Sequence, residues 1–244
     1  MALAFRAASG GQLAGTTLTS QVITLPTGTT TNDIVYFVIT IGAVSSAPVA
    51  TGWNPIITTN ATAVESTIVG YRSIQSGDTD PTVTWTTAGK VAWTAITFQS
   101  AATMMGLHLG FGTILNTGTT LTTRTANTFA AGADTGVSIL LTGSRGSGNV
   151  ATAVTTVQPT NWLEPANGDF STATGTTTAT RQVAAHVSYR LAQTGTITPG
   201  AQTNTPTAYA IVHHAFAKEV PAPPPPEPVR SYVISQAVNQ SAFY

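Results

Sequence analysis

The chain is written twice, and that restricts its fold more than any other feature. Tyr71 to Phe98, YRSIQSGDTDPTVTWTTAGKVAWTAITF, returns as Tyr189 to Phe216, YRLAQTGTITPGAQTNTPTAYAIVHHAF. Tyr71 and Tyr189, Arg72 and Arg190, Gln75 and Gln193, Gly77 and Gly195, Pro81 and Pro199, Ala92 and Ala210, and Phe98 and Phe216 pair at one spacing of 118 residues. Upstream, Gly15-Thr-Thr-Leu-Thr19 recurs as Gly118-Thr-Thr-Leu-Thr122, a spacing of 103, so about fifteen residues are gained in loops between the two anchors. Each copy leads into an apolar run, Ile34 to Ile41 and Val137 to Leu141. Two small modules, or two lobes around one core, are the architectures such a chain can adopt.

Nothing in either copy sustains the i, i+3, i+4, i+7 apolar pattern of a helix, and threonine, about a fifth of the chain, opposes helix further. The run Ile34 to Ile41, IVYFVITI, is short and β-branched, as in a strand buried on both faces. Strands are also predicted at 3–6, 18–25, 66–74, 83–87 and 91–98, with a turn at Gly10-Gly11, another at 26–33 and a loop at 42–55. The second copy repeats the order at 121–129, 137–142, 183–191 and 208–216, with a polar low-complexity stretch at 174–180. The expected class is therefore all-β: two tandem antiparallel β-sandwich modules, jelly-roll-like, over residues 1–104 and 105–218.

From Glu219 the composition changes to VPAPPPPEPVRSYVISQAVNQSAFY. Pro221 to Pro228 should hold a stiff polyproline II spacer at about 3.1 Å per residue. The apolar residues beyond it cannot bury themselves. Residues 219–244 are expected to be an extended Pro-rich C-terminal arm that grips a neighbour through Tyr232, Val233, Ile234, Val238, Phe243 and Tyr244, in the manner of β-augmentation.

Charged residues make up 7% of the chain and the net charge is zero, which provides no electrostatic footprint for nucleic acid or an anionic bilayer. Neither partner is expected. So little self-repulsion favours association, and a homo-oligomer is expected. Cysteine is absent, so disulfide and thiolate chemistry are excluded. The start, MALAFRAASGG, has no secretory leader pattern, which predicts synthesis in the cytoplasm.

The search for a reacting group is negative throughout. Asp78 and Asp80, in GDTDP, are the one close pair of carboxylates along the sequence, and turn stabilisation accounts for them. His213 and His214 are neighbours in a predicted strand and point to opposite faces, while His108 and His186 stand alone. Gly143-Ser-Arg-Gly-Ser-Gly148 lacks the Lys-Ser/Thr ending of a phosphate cradle and reads as a loop. No catalytic residue, cofactor site or metal site is assigned. Trp53 and Trp162 occupy matching loops beside a proline. They either plug the ends of the sandwiches or meet a glycan on a host surface, and they are the candidate glycan contacts.

Leu18 to Leu25, Asp33 to Ile41, Gly52-Trp53, Tyr71-Arg72, Pro81, Thr84-Trp85-Thr86 and Trp93 to Phe98 together resemble the β-sandwich structural proteins of tailed bacteriophages. The doubled arrangement is similar to proteins labelled minor tail proteins in phages of actinobacteria, with related modules in head-decoration and fibre proteins. The resemblance covers residues 1 to about 218. The second copy departs from it, with Asn161-Trp162-Leu163-Glu164 for Gly-Trp and Thr203 for Trp85. It implies a non-enzymatic component of the virion surface whose partners are other virion proteins, tail or major capsid subunits. A trimeric head-decoration protein and a carbohydrate-binding adhesin are the alternatives.

Overall fold

The computed structural model describes residues 3–14, 17–43, 49–50, 52–61, 65–101, 103–146, 155–172 and 182–223. Among them there is no helix, and every paired strand is antiparallel. The first half contains β1 (Ala4–Leu13), β2 (Ser20–Val22), β3 (Ile34–Ile41), β4 (Val49–Ala50), β5 (Asn54–Ala61), β6 (Glu65–Ser73), β7 (Thr82–Thr84) and β8 (Val91–Gln99). The second contains β9 (Met104–Arg124), β10 (Phe129–Ala130), β11 (Gly136–Gly146), β12 (Thr156–Val157), β13 (Asp169–Ser171), β14 (Val183–Gln193), β15 (Thr196–Ile197) and β16 (Gln202–Pro221).

A large sheet in the first half runs β1-β8-β3-β6-β5, and one in the second runs β9-β16-β11-β14-β13, with β12 added beside the start of β16. The two orders correspond strand for strand. Register corresponds as well: Tyr36 of β3 lies opposite Tyr71, and Ile139 of β11 lies opposite Tyr189. Gly77 and Gly195, the matched turn glycines, both take left-handed φ angles, of 86° and 67°.

These two sheets stack face to face, and one core belongs to both. Ile34, Tyr36 and Val38 of β3, with Ile96 and Phe98 of β8, meet Ile139 and Leu141 of β11 and Val187 and Tyr189 of β14. At one end the packing is aromatic, with Phe5 stacked on Tyr189 at 4.9 Å between centroids and Phe98 edge-on to the same ring at 5.5 Å. At the other end the sheets close on Gly143, where an added Cβ would lie 2.4 Å from Thr67 Oγ1 and 2.5 Å from Thr40 Oγ1. A fully buried Val, Leu, Ile or Phe contributes about 1.5–3 kcal/mol, whereas an exposed ion pair contributes about 0–1. This layer therefore outweighs the few ion pairs, such as Arg6 to Asp33 at 2.8 Å.

The outer face of each large sheet carries a smaller one. In the first half, β2-β7-β4 is laid over Val35, Phe37, Ile39 and Trp93, with Ile23, Val83, Trp53 and Trp85 filling the space between. In the second, β10-β15 covers Phe216 through Phe129, Ala131 and Ile197.

Several expectations are corrected. Gly10 and Gly11 are not a turn but lie inside β1, where the Phe170 ring leaves no room for a Cβ at Gly10 and the Trp93 indole would press on one at Gly11. Gly143 to Gly146, read as loop, belong to β11. Asn54 and Pro55 open a strand that the sequence pattern did not show. Phe98 and Phe216 are not structural equivalents: Phe98 pairs with Ile34 and faces the shared core, whereas Phe216 pairs with Ser138 and faces outward. The repeat spacing has grown by one residue there, and a one-residue slip reverses the face of a strand. Glu219 to Pro221, taken as the root of the arm, complete β16. The arm residues Tyr232, Val233, Ile234, Val238, Phe243 and Tyr244, and the stretch 174–180, lie outside the described residues.

Because nothing larger than hydrogen fits at Gly143, Gly143→Leu should push the two large sheets apart and lower stability by about 1–3 kcal/mol in urea unfolding. An unchanged midpoint would show that the sheets do not meet there.

Candidate functional site

The halves differ most on their outward faces. Register equates β3 with β11, so Val35, Ile39 and Ile41 correspond to Ser138, Thr142 and Ser144; Ile68 of β6 corresponds to His186 of β14. The positions that form an apolar layer in the first half are thus polar in the second, and they remain buried. Burying polar groups without partners costs free energy, so such a replacement has to be satisfied by something.

What surrounds them is a polar cluster on the outer face of the second sheet. Arg124, at the end of β9, is 1% exposed and donates from Nη1 to Thr156 Oγ1 at 3.0 Å. Gln202 lies beside it across the ladder and accepts from the Thr142 hydroxyl at 2.9 Å. Asp169 opens β13 and sits directly opposite His186. Its Oδ2 accepts from the Thr156 backbone N–H at 3.0 Å, while Oδ1 is buried with no hydrogen-bond partner among the described residues. His186 is 1% exposed, and neither ring nitrogen has a hydrogen-bond partner there. Glu164 reaches the same place from an exposed position, and one ligand atom from each of Glu164, Asp169 and His186 lies within 4.8 Å of the others.

The loop that brings Glu164 is sewn to β14 just beyond the histidine, at residues 187 and 189. Leu163 and Tyr189 exchange backbone hydrogen bonds at 2.8 and 2.9 Å, and Val187 N–H donates to Gly168 O at 2.7 Å. Burial holds the Asp169 carboxyl above its ordinary range, opposed by the Thr156 N–H and the Arg124 charge. Burial also raises Glu164, with help from the Asp169 charge. His186 is pushed down to about 3 by burial and then by Arg124, so it is neutral. A neutral imidazole and two carboxylates raised by burial make a donor set that favours a cation.

The other histidines are built into the packing. His214 Nδ1 lies 2.5 Å from the Asn127 carbonyl, which can only accept, so Nδ1 carries the proton and Nε2 accepts from the Ser138 hydroxyl at 2.5 Å. His213 lies on the opposite face, its Nδ1 2.9 Å from Thr113 Oγ1. His108 pairs with the Tyr36 hydroxyl at 2.8 Å and packs on Tyr71.

The residues singled out in the sequence fall elsewhere. Asp78 accepts from Gln75 N–H at 2.8 Å and from Arg72 Nη2 at 2.6 Å, and Asp80 accepts from Leu25 N–H at 2.9 Å, so both hold turns. Trp53 and Trp162 are 7% and 5% exposed. Trp53 packs edge-on against Phe37 at 5.3 Å and Trp162 against His214 at 6.0 Å, leaving no open ring face for a sugar. Sequence reading treated Glu164, Asp169 and His186 as isolated residues. The signal it passed over is the replacement of Ile68 by His186 at the repeat spacing.

Compared with known proteins, the chain matches no protein-family model, no curated protein and no solved structure.

His213 and His108 are pushed down by burial to about 3 and about 4. A folded-state value below the ordinary 6.5 or so means that the unfolded chain takes up the proton more readily. Their stabilisation is complete above about pH 6.5 and is lost as the pH falls from there. His213 occupies the place of Thr94, since Thr94 pairs with Val38 and His213 with the corresponding Leu141. His213→Thr should therefore lose less stability than the wild type between pH 7 and pH 4.5, measured by urea unfolding at each pH. The raised carboxylates are common to both proteins and cancel. Equal losses would contradict the burial of a neutral His213.

Proposed function

We propose that this chain is a duplicated β-sandwich protein serving as a non-enzymatic structural component of a tailed-phage virion, a minor tail protein attached through its Pro-rich C-terminal arm. The observation that carries the assembly role is strand β9. It runs for 21 residues, has β16 as its one strand partner among the described residues, and exposes Leu107, Leu109 and Leu115. Its outer edge is engaged at Gly106, whose N–H donates to Asn32 O, and at Thr113, whose carbonyl accepts from Asn127 Nδ2; a long edge strand with exposed leucines is otherwise a template for another chain. A net charge of zero does little to keep copies apart. Assignment to a tail rather than a head rests on the resemblance in sequence.

The buried indoles of Trp53 and Trp162 count against the adhesin alternative. The working parts are accordingly surfaces: the β9 edge for a neighbouring subunit and residues 222–244 for the particle.

Two measurements test this. Full-length protein carrying Leu109→Lys and Leu115→Lys should associate at least tenfold more weakly than wild type in sedimentation velocity, with its circular dichroism unchanged. Immunogold labelling of phage particles made by cells that produce the chain should decorate the tail. Label on the capsid would select the head-decoration reading, and label on no particle would overturn the virion assignment.

A further inference from the structure

We propose that Glu164, Asp169 and His186 form a binding site for one first-row divalent cation of the Zn²⁺ type, which ties the 159–168 loop to strand β14. The three side chains come from three places that the fold forces together. Asp169 and His186 are directly opposed across the β13–β14 ladder, and Glu164 follows Leu163, which is bridged to Tyr189 three residues beyond His186.

An acidic pair on a loop would not by itself indicate an ion. The histidine does. It is 1% exposed, both of its nitrogens lack hydrogen-bond partners among the described residues, and it lies within 4.8 Å of the carboxylate oxygens. Asp169 Oδ1 is in the same condition, buried and unbonded. A buried polar group without a partner is expensive, and here two belong to residues directly opposed across one ladder. The first half shows that the fold has no need of them, because it places Ile68 where the second places His186.

The donor set selects the kind of ion. An imidazole nitrogen with two carboxylates suits Zn²⁺ and its first-row neighbours, whereas Ca²⁺ asks for six to eight oxygens. Two carboxylates supply two negative charges, and Arg124 returns one positive charge, leaving the neighbourhood anionic. Zn–N and Zn–O bonds of about 2.0–2.2 Å keep donors within about 4.4 Å of one another, and the three atoms here lie within 4.8 Å. Glu164, on the exposed side, is the one free to move. That side also leaves room for water to complete the coordination.

The test uses full-length protein stripped with a chelator and titrated with ZnCl₂ in a calorimeter, with CaCl₂ in parallel. Zn²⁺ should bind at one equivalent and raise the melting temperature, and Ca²⁺ should bind at least tenfold more weakly. His186→Ile, which copies the first half, and Glu164→Gln should each weaken Zn²⁺ binding at least tenfold and abolish the thermal shift. If His186→Ile does not fold, Glu164→Gln decides alone, because its side chain is exposed. Absence of saturable Zn²⁺ binding, Ca²⁺ binding of equal strength, or Zn²⁺ binding undiminished in a folded variant would overturn the site.

Discussion

The face-to-face contact between the two large sheets is the constraint on which the rest of the structure depends. Each sheet needs cover on two sides, and among the described residues each half lays a small sheet, β2-β7-β4 or β10-β15, over one of them. The remaining face of each is closed by the other half, through Tyr36, Ile96 and Phe98 on one side and Ile139, Val187 and Tyr189 on the other. A chain with 7% charged residues and no disulfide has little other than this burial to hold it together. The doubled sequence is then more than economy: the second copy is the missing layer of the first.

With the inner faces committed to each other, the outer faces were left to diverge. In the first half the outer face remains an apolar layer sealed by Trp53, Trp85 and Trp93. In the second the matching positions carry Ser138, Thr142, Ser144, His186 and His214, and polar chemistry is buried where its twin is hydrocarbon. His214 and Ser138 satisfy each other there. At Asp169 Oδ1 and the His186 ring the described residues supply no hydrogen-bond partner, and the proposed cation site lies there, in the second half.

The repeat and the alternation of apolar residues made the all-β class legible, because both follow from period-two burial. The faces of β8 were readable for the same reason: Val91, Trp93 and Ala95 go outward, and Ala92, Ile96 and Phe98 go inward. What stayed hidden was whatever depends on packing between elements. Gly10 and Gly11 read as a turn because the Phe170 ring that excludes a side chain at Gly10 lies in another strand. Phe216 matched Phe98 by letter, and a single added residue turned it to the other face. Glu164, Asp169 and His186 are spread over more than twenty residues, and it takes the pairing of β13 with β14 and the Leu163–Tyr189 bridge to make them neighbours.

If the shared layer is what holds both halves, they must melt as one. Differential scanning calorimetry of the full-length protein measures this directly, by setting the calorimetric enthalpy against the van't Hoff enthalpy. A single transition with the two enthalpies equal is the predicted result. Two separable transitions, one for each half, would contradict the account.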